Sequence, residues 1–200
     1  MRLPFRRVRH KMRILAAAIA GALVFWLILV SLIPYRRELR RPVPHLTGAC
    51  HPQFRRDMEG LCGSPVLGGN RIETLRNGDR IFSAMLDAIN GARASVTFET
   101  YVYWSGEIAE QFADALIARA GAGIPVKVLI DWAGSLPMDD GLIERMLDGG
   151  VDLRVFRPMR WYTLTRLNNR THRKILVVDG QTGFIGGVGI GESWRGEPRG

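Results

Sequence analysis

An α/β domain built on a mixed β-sheet, set behind one N-terminal membrane-spanning helix, is the fold class that the sequence predicts. Three observations predict it. Residues 14–33 are an apolar run between two arginine clusters. From Asn70 onward, segments of strand and helix periodicity alternate. The composition, 46% hydrophobic and 24% charged, is globular usage, which excludes a disordered, collagenous or disulfide-dense chain.

The N-terminal elements come first. Residues 1–13 form a basic flank, and Ile14 to Ile33 gives twenty residues in which Ser31 is the one clearly polar side chain. At about 1.5 Å per residue this crosses roughly 30 Å of hydrocarbon. Arginine clusters at both ends favour a membrane helix over a buried core helix. The run ends Leu32-Ile33-Pro34-Tyr35-Arg36, without a small-x-small cleavage site, so an uncleaved anchor is favoured over a signal peptide. Six Lys/Arg precede the span and four follow it, a bias toward a cytoplasmic N-terminus in the cell membrane. The net charge of +9 resides here: residues 1–41 hold ten Lys/Arg and one Glu, and the other 159 residues hold 18 of each sign. A globally basic nucleic-acid-binding domain is therefore excluded as the cause of the charge.

Residues 34–69 read as a Pro- and Gly-rich linker. It contains Cys50 and Cys62, open to a disulfide, to two unrelated thiols or, with His45 and His51, to zinc, although the spacing does not match paired structural-zinc motifs.

Residues 70–200 form the domain. Arg71 to Leu75 predicts a strand, Asn77-Gly78 a turn, and Asp79 the N-cap of a helix through Asn90 with Ile81, Met85, Leu86 and Ile89 on one face. Ser95 to Tyr103 is β-branched and aromatic and predicts a strand. Glu107 to Ala120 carries Ile108, Phe112, Ala115 and Leu116 at helical spacing and closes at Gly121 as a C-cap. Pro125 to Asp131 predicts a strand, Leu142 to Leu147 a short helix stopped by Gly149-Gly150, and Val151 to Phe156 a strand. Ile175 to Val178 is a buried strand, and Asp179-Gly180 turns toward a partner strand at Phe184-Ile185. After Gly191 no closing helix or strand is expected.

Several chemistries are absent. Walker A spacing, a Gly-x-Ser-x-Gly elbow and a His-Glu-x-x-His motif do not occur, and Gly187-Val188-Gly189-Ile190-Gly191 lacks the helix and distant acid of a dinucleotide loop. What remains is His172-Arg173-Lys174. On a strand, residues i and i+2 share a face, so His172 and Lys174 point together into one site. Neutral imidazole can attack phosphorus to give a covalent phosphoenzyme, while the ammonium meets the charge that builds on the non-bridging oxygens. The same lysine disfavours the imidazolium. Asp179 has the other parity. Upstream, Arg154, Arg157, Arg160, Arg166, Arg170 and Arg173 crowd the approach to the histidine, with Trp161 and Tyr162 among them, a setting suited to an anionic phosphodiester in a lipid headgroup region.

His172-x-Lys174-x₄-Asp179, followed by Gly186-Gly187, resembles the HKD motif of the phospholipase D superfamily. Phe98 to Tyr103, Val128 to Trp132 with Gly134-Ser135, and Asn169 to Lys174 resemble the N-terminal half of bacterial cardiolipin synthase-like members. An excess of Arg over Lys, 25 to 3, agrees with a GC-rich bacterial source. The resemblance implies a phospholipase D-like mixed sheet flanked by helices. It implies His172 as the phosphorus-attacking nucleophile or its acid/base counterpart, Lys174 as the phosphate-binding cation and Asp179 as a supporting acid. Arg170, Gly186 and Gly187 are expected to bind substrate, the glycines by giving close backbone access. Gly189 stands where the family often has Asn or Ser. Family active sites use two HKD motifs and one is present here, so a second half-site is expected from a C-terminal region or from a homodimer partner.

The implied activity is that of a membrane-anchored phosphatidyltransferase of the cardiolipin synthase type. It would act on an anionic phospholipid through a phosphohistidine, with no metal or cofactor and no nucleic-acid partner. Alternatives are a hydrolase or nuclease on the same fold, and a non-catalytic, membrane-tethered half-domain.

Overall fold

The computed structural model describes residues 5–32, 48–159 and 169–196. The chain divides into two units, Met1–Ile72 and Glu73–Gly200. The first contains helix α1, Phe5–Leu32, and the nine-residue helix α2, Phe54–Cys62, which ends at Gly63 in the left-handed conformation (φ 63°). Within α1, residues His10–Val30 are long and apolar enough to cross a membrane, and none of that stretch is buried. Cys50 and Cys62 are free and exposed.

The second unit holds α3 (Gly78–Asn90), β1 (Val96–Thr100), α4 (Glu107–Gly121), β2 (Val126–Asp131), α5 (Asp140–Asp148), β3 (Asp152–Phe156), β4 (Lys174–Val178) and β5 (Thr182–Ile185). The five strands make one sheet in the order β3-β2-β1-β4-β5. β1, β2 and β3 are parallel, joined through α4 and α5, whereas β4 runs antiparallel to both β1 and β5. The mixed sheet therefore follows from two crossover units and one hairpin.

Strand parity decides which face is buried. Val96 and Phe98, Val126, Val128 and Ile130, Leu153, and Leu176 and Val178 share one face and form the core with α3, α4 and α5. The other parity, with Thr97, Lys127 and Arg154 exposed and Glu99, Leu129, Ile175 and Val177 half-buried, forms the second face. Phe112 sits at the centre of the core, edge-on to Phe82 at 5.9 Å and stacked on Phe98 at 6.0 Å between ring centroids.

Several elements differ from expectation. Arg71–Leu75 is not a strand: Ile72 is 91% exposed and the segment joins no β-ladder among the described residues, so its alternating pattern has no sheet to follow. The α3 N-cap is Asn77 (φ 65°) and not Asp79, which lies in the first turn. Gly78 is required by packing, because a Cβ there would stand 1.8 Å from the Trp194 carbonyl oxygen. Phe82, which the helical face as read from sequence omits, is buried with Met85 and Ile89, while Ile81 and Leu86 are half-buried. Gly121 is the last helical residue of α4, and the left-handed residue is Gly123 (φ 82°). α5 begins earlier than expected because the Asp139 side chain accepts the N–H of Gly141 at 2.7 Å.

The segment after β5 is also built in. Ile190 bridges Tyr103, with Ile190 N–H donating to the Val102 carbonyl and Trp104 N–H to the Ile190 carbonyl, both at 2.9 Å. A 3₁₀ turn follows at Glu192–Trp194, a closing element that the sequence did not predict. Glu192 Oε1 accepts the N–H of Ile108 at 2.8 Å, which caps α4 where Gly106 has no side chain to do so.

Asp179 closes the far end of β4. Its carboxylate accepts the N–H groups of Arg93 (3.0 Å), Ala94 (2.7 Å) and Ser95 (2.9 Å), while its own N–H donates to the Ser95 carbonyl at 2.8 Å. These donors, Ser95 first, hold the carboxyl below its ordinary pKa. A depressed carboxylate pKa contributes stability that is present above the unfolded value, about 4, and is lost as pH falls through the folded value.

Two outcomes follow from this packing. Phe112→Ala is expected to lower unfolding free energy by about 3–5 kcal/mol in denaturant titrations of the domain. Asp179→Asn is expected to lower the urea midpoint at neutral pH, with the gap to the parent closing as pH drops below about 4.

Candidate functional site

The carboxyl ends of β1, β2 and β3 and the start of β4 share one edge of the sheet, the position where open α/β sheets place ligands. The register sets Lys174 opposite Thr100, the last residue of β1. Tyr101 and His172, each just beyond a strand, meet there with ring centroids 4.9 Å apart. The Lys174 Nζ lies 5.3 Å from the Tyr101 ring centroid and 3.1 Å from His172 Nε2. An ammonium can only donate, so in that form Lys174 makes Nε2 the acceptor and the imidazole carries its proton on Nδ1. Partial burial lowers the Lys174 pKa from the ordinary lysine value. His172 itself is exposed. The result is an imidazole nitrogen beside a cation at an open edge, a pairing that suits attack on an electrophilic centre carrying anionic oxygens.

Two carboxylates position this strand entry. Asp131, fully buried at the end of β2, accepts the N–H groups of Ala133 (2.9 Å), Gly134 (3.3 Å) and Thr171 (3.1 Å). Burial of a carboxylate requires such donors. Glu99 on β1 accepts the Thr171 hydroxyl and lies 3.7 Å from Arg173. Thr171 is thus held by backbone and side chain immediately before His172. The Tyr101 backbone is held as well: its carbonyl accepts from Ser135 Oγ at 3.4 Å, and Gly134 packs so closely that a Cβ would stand 2.0 Å from that oxygen.

The structure brings His172 and Lys174 together but does not bring the other expected site residues to them. Asp179 lies five residues along β4 from Lys174, about 16 Å at 3.3 Å per residue, on the amides of residues 93–95. Arg170 is turned inward: its side chain is 13% exposed, lies over the Trp132 ring at 5.4 Å, donates to the Arg157 carbonyl at 3.0 Å and stands 3.7 Å from Asp131. Gly186 and Gly187 follow the residue paired with Ile175, so they lie toward the Lys174 end of the sheet, but a Cβ on either would meet nothing within 4 Å. Gly189 is closely packed instead: a Cβ there would stand 2.6 Å from Val102 Cβ, so an Asn or Ser at this position would meet Val102.

Of the basic cluster, Arg160 and Arg166, with Trp161 and Tyr162, lie outside the described residues. Arg154 is bonded to Asp152 at 3.0 Å and Arg157 to the Asn169 carbonyl at 2.9 Å. Tyr101, Glu99 and Asp131 are what sequence reasoning left out of the site. Their signal was position: Asp131 ends a strand, Tyr101 follows one and Glu99 stands next to the last residue of one, all at the edge where His172 enters. Among the described residues no cluster of His, Cys, Asp and Glu is arranged to hold a metal ion.

The cardiolipin synthase, PLD-like domain matches residues 85–194, more than half of the chain. Cardiolipin synthase A of Pseudomonas fluorescens is 35% identical over 143 residues, covering 71% of this chain and 30% of that protein. Cardiolipin synthase 1 of Bacillus anthracis is 35% identical over 165 residues, covering 82% and 32%. The chain thus spans about a third of the length of these relatives. Among solved structures, Nuc from Salmonella typhimurium, a phospholipase D family member, aligns with a TM-score of 0.45 at 21% identity, covering 57% of this chain and 68% of that one. On the family match, this chain belongs to the phospholipase D-like domain family of the cardiolipin synthases.

Proposed function

We propose that the protein is a membrane-anchored phosphatidyltransferase of the cardiolipin synthase type. The observation that carries this reading is the contact between His172 Nε2 and Lys174 Nζ at 3.1 Å, beside the Tyr101 ring on the open sheet edge. In the first step Lys174 exchanges its hydrogen bond to Nε2 for one to a non-bridging phosphate oxygen, and the freed Nε2 lone pair attacks the phosphorus of an anionic phospholipid. The N–P bond forms, the P–O bond to the headgroup alcohol breaks, and that alkoxide takes a proton from an acid. In the second step an acceptor alcohol gives up its proton to a base, attacks phosphorus and displaces His172, so a P–O bond replaces the N–P bond. Lys174 meets the non-bridging oxygens in both.

The acid and base for these steps belong to a second half-site, because His172 cannot be nucleophile and proton donor at once. That half-site comes from further sequence or from a second copy of the chain; the greater length of the relatives supports the first source. Water in place of the alcohol gives hydrolysis by the same steps. Helix α1 supplies the anchor, and the six Lys/Arg before the apolar run, against four after it, support a cytoplasmic N-terminus. Asp179 and Arg170 act on the site by fixing β4 and its entry, and the two glycines leave the edge uncovered.

The test is phosphatidyl transfer on phosphatidylglycerol by the purified chain in detergent, with assembly mass measured alongside. Activity is expected only in assemblies that hold two His-x-Lys-x₄-Asp sites, and His172→Ala is expected to lower it by at least about 10²–10⁴-fold. Lys174→Ala is expected to cost roughly 10²–10³-fold. Full activity of His172→Ala, or turnover by a one-motif monomer, overturns the reading. Because the Tyr101 ring touches both groups, Tyr101→Ala is expected to lower kcat by up to about 10²-fold through misplacement, while Tyr101→Phe, which keeps the ring, stays near the parent.

A further inference from the structure

Unit Met1–Ile72 contains a second apolar surface besides α1. On α2, at 100° per residue, Phe54, Met58, Leu61 and Cys62 fall within about a third of a turn, flanked by Arg55 and Glu59 on one side and by Asp57 on the other, with Arg56 behind. No residue of α2 is buried, and the hydrophobic core includes none of residues 54–72. Leu61 is 54% exposed and Leu67 70% exposed.

The charged side of α2 is already occupied. Arg55 Nε donates to Glu59 at 3.2 Å and Arg55 Nη2 to the Val66 carbonyl at 2.5 Å, while Val66 N–H donates to Glu59 at 3.0 Å. These bonds fold the following loop back onto the helix, so that helix and loop form one small body on which Leu61 and Leu67 are exposed and Phe54 and Met58 half-buried. Nine residues are too few for a helix to be stable alone in water, so its apolar face needs a cover.

We propose that α2 lies in the plane of the bilayer interface, with Phe54, Met58 and Leu61 in the headgroup–acyl boundary. This rests on the reading of α1 as a membrane anchor. Twenty-one residues separate Leu32 from Phe54, so the chain holds α2 within about 70 Å of where α1 leaves the bilayer, at high effective concentration. Four arginines in that stretch, Arg36, Arg37, Arg40 and Arg41, draw it to anionic lipid. A short amphipathic helix that binds weakly by itself is retained under these conditions. A lipid surface also matches the chemistry of the face, which is apolar with paired charges at its flank.

The experiment uses the full chain in vesicles of phosphatidylcholine and phosphatidylglycerol. In one sample Cys50→Ser leaves Cys62 to carry a polarity-sensitive fluorophore. In another, Cys50→Ser and Cys62→Ser with Leu23→Cys puts the probe on α1. Lipids spin-labelled near the headgroup or at the chain end act as quenchers. The expected result is a Leu23 probe quenched from the chain end, and a Cys62 probe shifted to the blue and quenched chiefly by the shallow label. Adding Leu61→Glu is expected to return the Cys62 emission toward that in water. A Leu23 probe in the bilayer with a Cys62 probe in water overturns the inference and leaves the anchor standing. A blue-shifted Cys62 probe that no lipid quenches means that protein covers the face, and also overturns it. A Leu23 probe in water overturns the anchor and the inference together.

Discussion

Everything at the site depends on β4 being fixed at both ends by a carboxylate. At its start, Asp131 takes the N–H of Thr171 and Glu99 takes the Thr171 hydroxyl. At its finish, Asp179 takes three successive N–H groups of the loop before β1. Between these clamps the strand pairs with β1 over five residues, from Thr100 opposite Lys174 to Val96 opposite Val178. A slip of one residue would turn Leu176 and Val178 out of the core and carry Lys174 to the other face. Register, core and chemistry are thus set by the same few bonds.

The division of labour along the strand is physical. Carboxylates that meet backbone N–H groups make short, charge-assisted bonds of fixed direction, and they suit positions where the chain must not move. The imidazole and the ammonium of Lys174 are left toward solvent, where a substrate can reach them. Tyr101 separates the two regimes: its backbone is tied to the Gly134–Ser135 turn, and its ring faces the reactive pair.

Much of this was legible in the sequence, for reasons that can be named. The parity of His172 and Lys174 gave their convergence, and the runs at 125–131 and 175–178 gave strands, because a period of two and β-branched content leave little freedom. Helix ends were less legible. The start of α3 is decided by the Trp194 carbonyl pressing on Gly78, a contact between residues more than a hundred positions apart that no local pattern carries. Arg71–Leu75 failed for a related reason, since alternation describes a strand only where a neighbour exists to pair with it. Charge density in a sequence does not tell which guanidinium turns inward, as that of Arg170 does onto Trp132 and Asp131. Gly189 was singled out as a departure, but its packing against Val102 is legible only in the structure.

The position of Asp179 bears on how such motifs are read. Three letters written as one signature separate here into two kinds of constraint, the His172–Lys174 contact at one end of a strand and a carboxylate held by backbone amides about 16 Å away at the other. A pattern search that demands all three letters therefore selects for foldedness and chemistry at once. Chains that have lost the aspartate but found another anchor for the strand would be discarded by such a search although their His-x-Lys pair is intact.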